Sequence, residues 1–199
     1  MESNVCKIEN GTADLAAILK ESEKVAVYNG LNHKQTLQLR LICEEIDGML
    51  PNIVENFEGK LWIEFLDGVC KVNASVKIIN LDADKKNDLV GIAKNKKNAA
   101  AVGIVGKIRN ALENFLLVDE SVVECNKSYM NFGFSTGFSD GVDYNYLWSL
   151  VQYRNQVTAD KHVEEWDELE KSVISSVADD VIVGIKGNQA DIVIVKKFY

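Results

Sequence analysis

Glu44 and Glu45 are the first residues whose types suggest chemistry, because neighbouring carboxylates can serve general acid–base work. They lie in the run LRLICEEIDGML, whose apolar spacing reads as helix, and adjacent helical residues point about 100° apart. The two side chains therefore do not converge on one proton. Glu45 stands one turn before Met49 at the edge of the apolar stripe and Glu44 points outward, so Glu45 is the candidate catalytic residue. Lys94, Lys96 and Lys97 precede a second helical run that begins near Asn98. A helix N-terminus flanked by lysines suits an anion, which makes these three the candidate phosphate or nucleotide ligands. VGIVGK at Val102–Lys107 is only superficially a phosphate loop: it lacks the four-residue gap between glycines, and Ile108 stands where a Ser or Thr would hold Mg²⁺. Glu164 and Glu168 share a helix face within an acidic run that reads as solvated surface, with a divalent-metal site as the alternative. Ser135, Ser139 and Asp140 lie within the near-repeat GFSTGFSDG, with Tyr129 just before it, and the four would line the pocket of an unrelated enzyme if that surface loop held a site.

Cys6, Cys43, Cys70 and Cys125 form no CxxC pair, and no histidine lies at metal spacing from them. They read as reduced structural thiols, with Cys43 and Cys70 on core faces, and no metal site is expected. A net charge of −8 argues against broad nucleic-acid binding. The charge is uneven, since Lys85 to Arg109 holds seven basic residues and one acid, Asp88. The longest small-apolar stretch, Ala99 to Gly106, is too short to span a bilayer, and MESNVCKIENG lacks the pattern of a secretory signal. The expectation is a single cytoplasmic domain over 1–199, with no membrane or nucleic-acid partner.

The elements that would position these residues follow from periodicity. Residues 4–8 read as a short strand and 13–29 as a helix, with Leu15, Ile18, Leu19, Ser22, Val25, Ala26 and Asn29 on one buried stripe. Gly30 suits the left-handed position that stops the helix, and Asn32 with Gln35 forms a capping-box-like pair for the next. That helix starts near His33 and carries Leu39, Ile42, Cys43, Ile46, Met49, Leu50, Ile53 and Phe57 as its apolar positions, with a kink or end near Leu50 because Pro51 lacks a backbone donor. Two alternating strands follow, Leu61–Phe65 and Cys70–Ile78, joined by an Asp67-Gly68 hairpin turn. A short helix over 85–94, a helix over 99–117, an irregular loop over 119–145 and helices over 145–158 and 161–178 come next. A hairpin closes the chain: Val181–Lys186, the Gly187-Asn188 turn, then Ala190–Lys197. This order predicts an α+β, two-layer sandwich, with a mixed, mostly antiparallel sheet covered by helices on one face.

Three stretches resemble the histidine-kinase-like ATPase fold, nearest to the anti-sigma-factor serine kinases. A helix ending in Tyr28-x-Gly30 precedes the helix with the glutamate pair, the DG hairpin follows, and SSVADDVIVGIKGNQADIVIVKKF is similar to the family's closing helix and hairpin. The resemblance implies that Glu45 corresponds to the family's general base. Met49 stands where the family places a Mg²⁺-ligating asparagine, Ile78 where it places the adenine-binding aspartate, and Asp167–Lys171 where it places a glycine-rich phosphate turn. A thioether is a poor ligand for Mg²⁺, and carboxylates repel phosphate. Residues 82–165 stand in place of the mobile ATP lid, as a long helical insertion. The expectation is a regulatory or partner-binding protein, not an enzyme, with a degenerate ATP site, no cofactor, and a protein partner or a homodimer. The alternative is a genuine ATP- and Mg-binding serine kinase with shifted motifs.

Overall fold

The computed structural model describes residues 1–9, 15–53, 56–79, 146–160 and 173–199. The described elements are β1 (Cys6–Glu9), α1 (Leu15–Tyr28), α2 (His33–Ile53), β2 (Phe57–Leu66), β3 (Val69–Ile78), β4 (Tyr146–Ser149), α3 (Leu150–Asp160), α4 (Val173–Val177), β5 (Asp180–Lys186) and β6 (Gln189–Lys197). The strands form one sheet in the order β1-β2-β3-β6-β5-β4. The α+β character, the helix pair and both hairpins agree with the sequence reading. Every described pairing is antiparallel, so the parallel component of a mixed sheet is not seen among the described strands.

Local chemistry explains the first helix pair. Gly30 adopts φ +65, Leu31 N–H donates to the Ala26 carbonyl (2.9 Å) and Gly30 N–H to the Val27 carbonyl (3.2 Å), which closes α1 in a Schellman motif. Asn32 and Gln35 then cap α2 reciprocally: Asn32 N–H donates to Gln35 Oε1 (2.9 Å) and Gln35 N–H to Asn32 Oδ1 (3.0 Å). α2 does not end at Leu50 but runs through Pro51 to Ile53, and Phe57, expected on this helix, instead opens β2. Pro51 falls in the last turn, where the missing donor costs a single bond.

The core forms where α1, α2 and α4 meet one face of the sheet. Leu61, Ile63 and Phe65 of β2, Val72 and Ala74 of β3, Val181 and Val183 of β5 and Ile192 and Ile194 of β6 join Val25, Leu39, Ile42, Ile46 and Ile174 in one cluster. Strict alternation in β2 and β3 puts Glu58, Lys60, Trp62 and Glu64 on the reverse face. There a row runs across five strands through Trp62, Asn73, Val193, Ile182 and Ser149.

The two halves of the sheet are related by an approximate two-fold axis. Among the described elements each half reads strand, helix pair, hairpin, and the order of strands is the same from either outer edge inward. Phe65 faces Cys70 across the first hairpin as Ile185 faces Ala190 across the second, and Leu61 faces Ala74 as Val181 faces Ile194. Ile78 N–H donates to the Asn188 carbonyl (2.8 Å), and Phe198 N–H to the Gly68 carbonyl (2.7 Å), so each hairpin turn receives the end of the other half's last strand. The axis passes between Asn73 and Val193, which are paired and hold equivalent positions. Even the outer edges correspond. Tyr146–Ser149 flanks Ile182–Ile185, while Ser3 N–H donates to the Ile63 carbonyl and Phe65 N–H to the Met1 carbonyl (both 2.8 Å) at the matching place.

Residues 145–158 were expected to be helical throughout, but Tyr146–Ser149 is an edge strand and the helix starts at Leu150. Ser149 is its N-cap: its Oγ accepts from Gln152 N–H (3.4 Å) and donates to the Asp180 carboxylate (3.1 Å). Asp180 also accepts from Val151 N–H (3.1 Å), placing a carboxylate at the positive end of α3. Of the stretch 82–165, only 146–160 is described, and it supplies a strand and a helix to the main sheet. The expected helices 85–94 and 99–117, the 119–145 loop and the first part of the 161–178 helix lie outside the described residues.

Two contacts make testable demands. Gly59 pairs with both Ile8 and Val76, and a Cβ there would run into the Ser75 carbonyl oxygen and the Val76 backbone. Gly59→Ala should cost about 2 kcal/mol or more in chemical denaturation, because backbone must move to admit it. Glu21, buried on α1, accepts from Lys24 Nζ and from the backbone and side-chain amides of Asn4 (both 3.2 Å), tying the N-terminal segment to α1. The Lys24 ammonium holds the Glu21 carboxyl below its usual value of 4.5 against the opposing effect of burial, and Asn4 adds to the lowering. The stabilisation is therefore present above pH 4.5 and lost as pH falls through the depressed value. Glu21→Gln should lower stability by about 1–2 kcal/mol at neutral pH. The difference should shrink in acid, as read from denaturation at several pH values.

Candidate functional site

The candidate site lies on α2, whose inner face is fixed by Leu39, Ile42, Cys43, Ile46, Met49 and Leu50. Its outer face bears Arg40, Glu44, Glu45 and Asp47. Arg40 Nε donates to Glu44 (3.1 Å) one turn on, and Arg40 Nη1 donates to Glu23 of α1 (3.1 Å). Glu44 is thus held by an ion pair, as its outward direction implied. Glu45 is half-buried and makes no hydrogen bond or ion pair among the described residues. Met49, four residues on, is 3% exposed and belongs to the core cluster. Its sulfur is spent on packing, so Glu45 has no oxygen donor at that position with which to share a hard cation. Among the described residues, no group of three or more His, Cys, Asp or Glu could hold a metal ion.

Lys94, Lys96 and Lys97, like Cys125, Glu164, Glu168 and the Tyr129–Asp140 group, lie outside the described residues. Asp179 and Asp180, in the stretch resembling the family's closing segment, serve the backbone. Asp179 accepts from Lys197 N–H (2.6 Å) and lies 3.5 Å from the Lys196 ammonium. Cys43 and Cys70 sit in the core as expected, Cys6 belongs to the same cluster, and none of the three is in a disulfide. Burial pushes the Cys70 thiol up to about 12 and the Cys43 thiol higher still, so neither supplies a thiolate nucleophile at neutral pH.

Two features of the helix pair were not singled out from the sequence. The first is Asp47, which is half-buried with no hydrogen-bond or ion-pair partner among the described residues. Burial raises its carboxyl above the usual 3.8. The second is a set of exposed apolar side chains at the α1–α2 turn: Val27 is 81% exposed, Tyr28 75% and Leu37 50%. The Glu23–Arg40 ion pair sets the register of the two helices. Val27 lies one turn beyond Glu23, and Leu37 about one turn before Arg40, so in an antiparallel pair both fall on the outer face towards the same turn. Exposed Lys24 and Lys34 lie one turn from Val27 and Leu37, with Lys24 paired to Glu21. The signal for this surface was the apolar type of residues lying off the buried stripe.

Among the described residues, no helix is long and apolar enough to cross a membrane. Because the folded pKa of Asp47 is raised, its ionised form opposes folding at every pH above the usual value. Asp47→Asn should raise the melting temperature slightly at pH 7, and the gain should vanish as pH falls below 3.8. No family model matches the chain, and neither a curated protein nor a solved structure is found to match it.

Proposed function

We propose that the protein is regulatory, acting by binding a partner rather than by nucleotide chemistry, on a scaffold akin to that of the histidine-kinase-like ATPases. The observation that carries this reading is the exposed apolar group Val27, Tyr28 and Leu37 on the helix pair. Single exposed apolar residues are ordinary, but three of them near one helix–helix turn, a tyrosine included, suit a protein contact. The lysines at its rim favour a partner surface that is apolar at its centre and acidic at its edge.

The loss of nucleotide chemistry is supported by the same helix. Met49 is committed to the core, where an oxygen ligand would be needed beside Glu45. Kinship with the ATPases draws on the helix pair followed by the DG hairpin, and on the closing hairpin. Antiparallel pairing throughout the described sheet takes weight from that kinship but leaves the partner-binding reading intact.

Mg-ATP should leave the melting temperature unchanged, since a ligand that binds only the native state raises it. A photo-crosslinking residue introduced at Val27 should capture a discrete protein in cells, and one at exposed Lys77 should not. Leu37→Asp should abolish the capture without lowering the melting temperature. A rise of several degrees with Mg-ATP, or a capture indifferent to Leu37→Asp, would overturn the reading.

A further inference from the structure

Among the described strands β1 is the outermost, and none of them pairs with its outer side. Its sequence is Cys6-Lys7-Ile8-Glu9, with Ile8 in the core and Lys7 and Glu9 exposed on the reverse face. Inside the protein the two charges meet like charges directly opposite: Lys7 faces Lys60, and Glu9 faces Glu58. Directly opposed like charges are unfavourable by a few tenths of a kcal/mol to about 1 kcal/mol. A strand added on the outer side would best place an acid against Lys7 and a base against Glu9.

The spacing Lys-x-Glu supplies that complement from β1 itself. We propose that two copies of the protein associate edge to edge through β1, antiparallel about Ile8, so that Lys7 of each copy faces Glu9 of the other. Side chains opposite one another in an antiparallel pair point to the same face. The two Ile8 residues therefore meet on the helix-covered side, and both charge pairs form on the reverse side. The register about Lys7 would set lysine against lysine, and a register shifted by one residue would set Ile8 against a charge. Charge on an edge strand usually guards against association. Here the alternation of sign makes the edge self-complementary in one register and repulsive or mismatched in its neighbours. The contact is isologous and closes at two copies.

Sedimentation equilibrium of the full chain tests this. The wild type should show a concentration-dependent dimer. Lys7→Glu and Glu9→Lys should each set like charges across both ends of the seam and weaken the dimer by roughly tenfold or more. The double variant carrying both changes should restore it. Lys7→Glu also exchanges the Lys7–Lys60 contact for an attractive one, so its melting temperature in dilute solution should not fall. Loss of the dimer then cannot be ascribed to unfolding. A wild type that stays monomeric at its highest soluble concentration would overturn the proposal. So would a dimer that ignores both single variants, or a double variant that does not restore it.

Discussion

The antiparallel ladder between β3 and β6 is the joint on which the rest of the structure depends. It runs from Val69↔Lys197 to Lys77↔Gln189 and unites strands more than a hundred residues apart in the chain. Ladder bonds are individually modest, but they set the spacing and facing of everything built on either side. Val72, Ala74, Ile192 and Ile194 all turn inward because of that register, and a slip of one residue would turn them to the reverse face. The helices then have one continuous apolar floor rather than two small ones, which is why α2 can touch α4 of the other half.

α2 serves that floor with one side and solvent with the other. Its inner side is so fully occupied by Ile42, Cys43, Ile46, Met49 and Leu50 that little remains for a ligand. Chemistry is left to the outer side, where Arg40 ties up Glu23 and Glu44. Both ion pairs are solvent-exposed, so Arg40 links α1 to α2 near the turn that carries Val27 and Leu37 with little gain in stability.

What the sequence made legible was local. The stop at Gly30, the Asn32–Gln35 cap and the Asp67-Gly68 turn each depend on residues within a few positions, and all appear as read. Tyr146–Ser149 was misread because a short apolar run fits both periods. The deciding features, the pairing with Ile182–Ile185 and the Asp180 carboxylate that meets Ser149, lie some thirty residues away in the chain. The neighbours of each strand outside its own hairpin, and the symmetry between halves, were invisible for the same reason. Only the spatial pairing shows that Ile78 and Phe198 do equivalent work. For the site, spacing placed Met49 on the buried stripe of α2 and Glu45 at its edge. The exposed group at Val27 escaped notice because periodicity marks what a helix hides and not what it presents.

The position of the two-fold axis has a consequence for how such a chain can vary. A symmetric pair of identical units joined at this ladder would have to place a residue against its own copy at the centre, amide against amide or methyl against methyl. In the fused chain the two central positions are free to differ, and Asn73 faces Val193 there. Departures from symmetry are cheapest to introduce at that spot, because each change is made once rather than twice. The middle of the sheet is thus where one half can take on a polar character while the other keeps an oily one.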